Sequence, residues 1–157
     1  MSTTIHSHIY ACKPFRFIFG QHLHDVPTRN PLISELTSLK NRYMDPQRQR
    51  QAILHITNQL QQCYLDRTLA NIEPVDLSTI MSSLNRANAY ASTIQWFHRA
   101  ANLSIKPNNF HYSIAITACQ RTCDHQQALQ LLEDMKHNHI KPNTITYNAA
   151  ISACEKG

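Results

Sequence analysis

Glycine, acidic residues and long apolar runs are scarce in this chain of 157 residues. Only two glycines and seven prolines interrupt it, and the hydrophobic fraction is 42%, so the composition favours a mostly helical globular protein. No run of about 18 apolar residues is present, and we therefore expect no membrane-spanning helix and no membrane partner. The ten acidic residues are scattered and form no cluster that could hold two metal ions, so we expect no catalytic residues.

The cysteines do not form a disulfide pattern. Their number, five, is odd, their spacing is irregular and no secretory signal peptide precedes them, so we expect thiols in a reducing compartment. Cys119, Cys123 and His125 have the residue types of a metal site, but Cys119 lies on a predicted core stripe and is better interpreted as a packed thiol. We therefore expect no metal and no cofactor. The net charge of +5 permits a polyanionic partner without requiring one.

The sequence repeats itself every 35 residues. The segment IKPNNFHYSIAITACQR returns as IKPNTITYNAAISACEKG, which aligns Pro107 with Pro142, Tyr112 with Tyr147, Ile116 with Ile151 and Cys119 with Cys154. A weaker copy one period earlier carries Leu77, Met81 and Leu84 at the equivalent apolar positions. The repeats therefore cover 74–108, 109–143 and, in part, 144–157. Because the last unit is incomplete, we expect the chain to be a piece of a longer array; the alternatives are that the last helix serves as a cap or that two chains meet there.

Each complete unit contains two helical patterns. The first has apolar residues at i, i+4 and i+7 and the second at i, i+3, i+4 and i+7, as in Thr93, Trp96, Phe97 and Ala100 and again in Ala128, Leu131, Leu132 and Met135. Asp124 stands at the N-cap position of the second helix in the middle unit. Neither helix can bury its stripe alone, so the units must stack into an all-α solenoid.

The chain ahead of the repeats reads differently. Asn30-Pro31 and Asp45-Pro46 each place a capping residue before a proline, which predicts helices near 31–43 and 46–64. We interpret residues 30–73 as a non-repeating helical cap on the first unit. Residues 1–29 are poor in arginine and serine, which favours a disordered or loosely packed tail over the remains of a targeting segment.

The period, with ITYNAAISACEKG and QQALQLLEDMKHNHIKPN, resembles the pentatricopeptide repeat family of helical-hairpin RNA-binding proteins over residues 74–157. A tetratricopeptide array has a period of about 34, and the aromatic and small-residue pattern of its first helix is missing here. The resemblance implies a non-catalytic, sequence-selective module for single-stranded RNA that acts in RNA processing, stability or translation. It also implies an intracellular location, in a mitochondrion or plastid if the source is eukaryotic and in the cytoplasm otherwise.

The resemblance assigns roles to individual residues. Base-reading side chains are expected on the first helices and at the ends of units, namely Ser78, Ser113, Asn148, Asn108 and Asn143. The family pairs a small hydroxyl residue plus asparagine with adenine, and asparagine on the first helix with pyrimidines. Apolar side chains two residues into consecutive units would sandwich each base, which implies stacking by Val75, Phe110 and Ile145.

Two features of the sequence indicate binding partners independently of the family resemblance. Arg86, Arg121 and Lys156 recur at the same period near the ends of first helices, where they would track a phosphate backbone or only complement the helix dipole. An α-solenoid also suits peptides, so a protein-interaction scaffold is the alternative function. In the last helix, the face with Tyr147, Ile151 and Cys154 lacks a partner in its own unit, and we expect self-association there if the chain ends at Gly157.

Overall fold

The computed structural model describes residues 30–41, 44–65 and 72–156. All regular structure in these segments is helical, which confirms the predicted all-α fold. The helices are α1 (Pro31–Asn41), α2 (Pro46–Leu65), α3 (Pro74–Arg86), α4 (Tyr90–Asn102), α5 (Asn109–Thr122), α6 (His125–His137) and α7 (Thr144–Lys156). The expected tail, residues 1–29, and Gly157 lie outside the described residues.

The two helices ahead of the repeats begin where the proline signals predict. Asn30 Oδ1 accepts a hydrogen bond from Leu32 N at 3.0 Å. Asp45 Oδ2 accepts from the backbone nitrogens of Gln47 and Arg48 at 3.2 Å. Each cap satisfies backbone donors that a helix start leaves unpaired, and the following proline has no such donor. Both helices pack against α3, the first helix of the first repeat.

The remaining helices form two hairpins, α3 with α4 and α5 with α6, followed by α7. As predicted, Asp124 caps α6 by accepting from Gln127 N at 3.0 Å. The turns use residues with positive φ, at Asn88, Ser104, Cys123 and His139. These fall into two pairs 35 residues apart, so each turn adopts the same left-handed geometry in successive units although none of the four is glycine.

The apolar stripes predicted for α3 to α6 are all buried. Trp96, Leu77, Met81, Ile116, Cys119, Leu131 and Met135 are each no more than 1% exposed. Helix α7 differs, since it packs on α5 and α6 through Thr146, Ala149, Ala150 and Ala153. Its stripe of Tyr147, Ile151 and Cys154 is exposed, as the sequence predicts for a helix without a second helix in its own unit.

Successive first helices lie side by side, α3 against α5 and α5 against α7, while α4 and α6 pack behind them. Each hairpin therefore contacts only its neighbours, and the chain is an α-solenoid. One layer of the solenoid consists of the first helices. No helix in the described segments is long and apolar enough to cross a membrane.

Candidate nucleic-acid interface

A groove of about 590 Å³ runs between the first helices of consecutive units. Its lining includes the aromatic ring of Phe110, the side chain of Ile145, and the polar groups of Ser113 and Asn143. Arg86, at the end of α3, lies at its margin. Five residues that the sequence assigns to three different roles in RNA binding thus meet at one surface.

The three predicted stacking residues are unusually exposed for apolar side chains. Val75, Phe110 and Ile145 are 63%, 56% and 64% exposed. Each is the second residue of a first helix, and two of them, Phe110 and Ile145, line the groove. Exposed apolar side chains that cluster on one surface are typical of interaction surfaces in general.

The two predicted base-reading asparagines at the ends of units cap the helices that follow them. Asn108 Oδ1 accepts from His111 N at 3.1 Å at the start of α5. Asn143 Oδ1 accepts from Thr146 N at 2.9 Å at the start of α7. Capping holds each side chain in one orientation while it stays exposed.

The predicted base-reading side chains on the first helices differ in exposure. Ser78 and Ser113 are half-buried and donate to the carbonyls four residues earlier, Pro74 at 3.0 Å and Asn109 at 2.9 Å. Asn148 lies exposed on α7. The structure places Ser113 and Asn143 on the same groove. Ser78 is linked to Asn108 by hydrogen bonds to a third residue, which the sequence did not single out.

That residue is His111, which is fully buried on α5. Its ring spans two units: Nδ1 accepts from Asn108 N at 3.1 Å, and Nε2 lies 2.8 Å from Ser78 Oγ and 2.9 Å from the Pro74 carbonyl oxygen. Burial lowers the pKa of His111 below its ordinary value, although the bond to Pro74 opposes this. The ring is therefore neutral near pH 7, with its proton on Nε2.

Thr146 is the equivalent of His111 one unit later, and it is also fully buried. Its hydroxyl donates to Asn143 Oδ1 at 2.7 Å and lies 3.4 Å from Ser113 Oγ. Asn109 joins the same cluster, because its Oδ1 accepts from Asn143 Nδ2 at 3.1 Å. A sequence signal for these residues exists, since polar groups recur at 35-residue spacing in Asp76, His111 and Thr146, three residues after each N-cap.

Comparison with protein-family models matches residues 96–156 to the pentatricopeptide repeat domain. Over this segment the chain is similar to pentatricopeptide repeats. The match runs from the middle of α4 to the end of α7 and so includes the α5 and α7 side of the groove but not its α3 side. The family is in general an RNA-binding family of non-catalytic helical repeats. No curated protein matches the chain closely enough to count as a relative.

The basic side chains near the ends of the first helices form a row that follows the 35-residue period on the exposed surface. Arg86, Arg121 and Lys156 lie in the last turns of α3, α5 and α7 and are all exposed. Arg86 is among the residues that line the groove, and the other two hold the equivalent sequence positions one and two units later. Cations at helix ends are also favoured by the helix dipole, so position alone does not assign them to RNA.

Cys119 lies inside the repeat rather than at a reactive site. It is fully buried, and burial, with a smaller contribution from the Asp124 carboxylate, raises the pKa of its thiol to about 11. A thiol with this pKa is protonated at neutral pH and is a poor metal ligand. Across the described segments, no three histidine, cysteine or acidic side chains converge on one point.

A second exposed surface lies between α6 and α7. It encloses about 310 Å³ and is lined by six residues of mostly apolar character and one acidic residue, namely Leu129, Leu132, Tyr147, Ala150, Ile151, Cys154 and Glu155. Leu129, Tyr147 and Ile151 are 45%, 43% and 56% exposed. This mostly apolar surface has Glu155 as its one charged lining residue.

Proposed function

We propose that this chain is a sequence-selective module for single-stranded RNA, without catalytic activity of its own, that acts in RNA processing, stability or translation. The observation that supports the proposal is the groove along α3, α5 and the start of α7, whose lining brings the exposed apolar side chains of Phe110 and Ile145 together with Ser113 and Asn143. Surfaces that bind single strands combine apolar faces for stacking with polar groups that reach base edges.

The groove suggests how one nucleotide would bind. Phe110 and Ile145 would contact the two faces of a base, which any base tolerates because every base has a π-face. Ser113 and Asn143 would then reach the Watson–Crick edge and choose among bases. Arg86 at the margin would contact a phosphate, and this contact would add affinity that depends on salt but not on sequence.

The test is a binding selection on randomised single-stranded RNA with the wild type and Ser113→Asn. The family pairing of serine plus asparagine with adenine predicts adenine at two successive positions, and a pyrimidine for Asn148. Ser113→Asn should move the second preference from adenine towards a pyrimidine and leave the first unchanged. Ser92→Asn is the control, because Ser92 lies on α4, behind the layer of first helices. An identical profile for wild type and Ser113→Asn would refute the assignment of Ser113.

The alternative is a protein-interaction scaffold, which the apolar surface between α6 and α7 favours. The matching apolar surface of a second copy of this chain is one candidate occupant, because six of the seven lining residues carry no charge. Salt separates the two functions. RNA affinity carried by phosphate contacts falls steeply as salt rises, whereas association through an apolar surface changes little. Salt-insensitive self-association together with no RNA affinity would support the scaffold.

A further inference from the structure

The first two units carry the same base-reading pair, serine and asparagine, but hold the asparagine differently. Asn108 closes the first unit and Asn143 the second. In each case the partner is the third helical residue of the next unit, His111 or Thr146. The hydrogen bonds of these two partners determine which amide atoms remain for a base.

In the first unit, the amide oxygen of the asparagine keeps a lone pair. Asn108 Oδ1 accepts from His111 N at 3.1 Å. The imidazole cannot supply a second donor to it, because Nδ1 is itself the acceptor for Asn108 N. The proton on Nε2 points instead to the Pro74 carbonyl and Ser78 Oγ. Within the described segments Asn108 Nδ2 makes no hydrogen bond, so the amide offers both an acceptor and donors.

In the second unit, the amide oxygen is saturated. Asn143 Oδ1 accepts from Thr146 N at 2.9 Å and from Thr146 Oγ1 at 2.7 Å, and a carbonyl oxygen has two lone pairs. One hydrogen of Asn143 Nδ2 is also used, because it donates to Asn109 Oδ1 at 3.1 Å. Only a single N–H donor of Asn143 is left to face a base.

These two states of the amide differ in selectivity. The Watson–Crick edge of adenine places a donor, the 6-amino group, beside an acceptor, N1, and an amide that both accepts and donates can bind both atoms. Guanine presents the reverse order at this edge. A lone N–H donor, by contrast, is satisfied by an acceptor that every base carries, so it discriminates less between adenine and guanine.

We propose that His111 and Thr146 are specificity-determining positioning residues, which set the base selectivity of the preceding unit by leaving its asparagine oxygen open or by occupying it. This inference rests on the proposed RNA-binding function. It predicts that the first unit discriminates adenine from guanine more sharply than the second, although the two carry the same serine and asparagine. It further predicts that exchanging the third helical residue exchanges this behaviour.

The experiment measures affinities of the full chain for a set of short single-stranded RNAs that differ only at the base bound by one unit. Thr146→Val removes the hydroxyl without changing the side-chain volume and should raise the adenine-over-guanine ratio at the second unit, roughly three- to tenfold for one hydrogen bond. Thr146→Ser keeps the hydroxyl and should retain the wild-type ratio. Ratios at the first unit should stay unchanged in both variants, which a merely structural defect would not achieve.

The reciprocal variant is His111→Thr, which supplies a hydroxyl that can occupy Asn108 Oδ1. It should lower the adenine-over-guanine ratio at the first unit by a similar factor and leave the second unit unchanged. If the wild type shows base preferences but Thr146→Val, folded by circular dichroism, keeps its wild-type ratios, the inference is wrong and the proposed function stands. If the wild type shows neither RNA affinity nor base preference, the proposed function fails, and the inference fails with it.

Discussion

At the scale of single residues, burial decides which side chains are chemically active. Cys119 and His111 are both inaccessible, and burial acts on each in the direction that favours the neutral form, raising the pKa of the thiol and lowering that of the imidazole. A neutral imidazole can accept at Nδ1 while donating at Nε2, which the contacts across the two units require. The same ring would lose the Asn108 contact on protonation, since Nδ1 would then carry a hydrogen.

His111 should therefore make the fold sensitive to acid. Its ordinary pKa of 6.5 is lowered in the folded chain, so on acidification the unfolded state takes up a proton first. The free energy of unfolding should fall as pH drops below about 6.5, by up to about 1.4 kcal/mol per pH unit from this residue, and recover fully above it. Chemical denaturation at pH 5 to 8 for the wild type and His111→Thr isolates this contribution from the other histidines. Parallel stability curves for the two proteins would contradict it.

The roles of single residues were only partly predictable from sequence. The resemblance to pentatricopeptide repeats was enough to predict Phe110, Ile145, Ser113 and Asn143, and the structure does bring these four together, although their contact with RNA stays a prediction. His111 was missed because its importance comes from bonds to the preceding unit. A buried polar residue in a stripe of apolar neighbours can be recognised in a sequence, but the atoms that it bonds cannot.

At the scale of helices, the starts were easier to predict than the ends. Asn30, Asp45 and Asp124 each accept backbone hydrogen bonds where a cap was expected. The turns were harder, because a left-handed residue is usually signalled by glycine and here the positions hold asparagine, serine, cysteine or histidine. The repeat period predicts the positions of these turns where local propensity does not, because a turn that is needed in one unit is needed again 35 residues later.

The role of the basic residues at the ends of first helices, Arg86, Arg121 and Lys156, can be tested by substitution. Arg121 lies exposed in the last turn of α5, so Arg121→Ala should weaken binding to all RNA sequences about equally. It should reduce the slope of log affinity against log salt by about 0.7, the value for one phosphate contact on a single strand. Lys136→Ala is the matched control, because Lys136 lies on α6 and pairs with Glu133 at 2.7 Å. If the two variants give the same slope as the wild type, Arg121 only complements the helix dipole.

At the scale of the whole molecule, the internal repeat predicted the architecture. A 35-residue unit with two amphipathic stripes can bury both only against its neighbours, and the structure shows α3, α5 and α7 side by side. The packing of α1 and α2 against α3 could not be derived in this way, because those helices have no copy elsewhere in the chain. Contacts that recur in each unit can be predicted from one another, whereas the contacts of an interface that occurs once, such as that of α1 and α2 with α3, have to be observed in the structure.

The number of stacking residues limits how tightly the whole chain can hold RNA. On the proposed function, Val75, Phe110 and Ile145 would form two successive apolar sandwiches, enough for two bases. Each stacked base contributes ~1–3 kcal/mol by side-chain removal, giving a gross ~2–6 kcal/mol, whereas a micromolar complex needs about 8. We therefore expect dissociation constants weaker than about 10 μM at high salt, where phosphate contacts are weakened and stacking supplies most of the affinity.

The number of stacking side chains also predicts which substitution weakens RNA binding most. Fluorescence anisotropy with a labelled oligonucleotide would measure these affinities. Phe110 belongs to both sandwiches, so Phe110→Ala should weaken binding more than Val75→Ala or Ile145→Ala, each of which removes one wall of one sandwich. All three side chains are more than half exposed, so the substitutions should leave the free energy of unfolding nearly unchanged, and circular dichroism would check this. Equal losses for the three variants would mean that bases are not held between consecutive units. A nanomolar dissociation constant for the wild type would mean that contacts outside these two sandwiches dominate, because stacking on three side chains cannot supply the roughly 12 kcal/mol that such affinity requires.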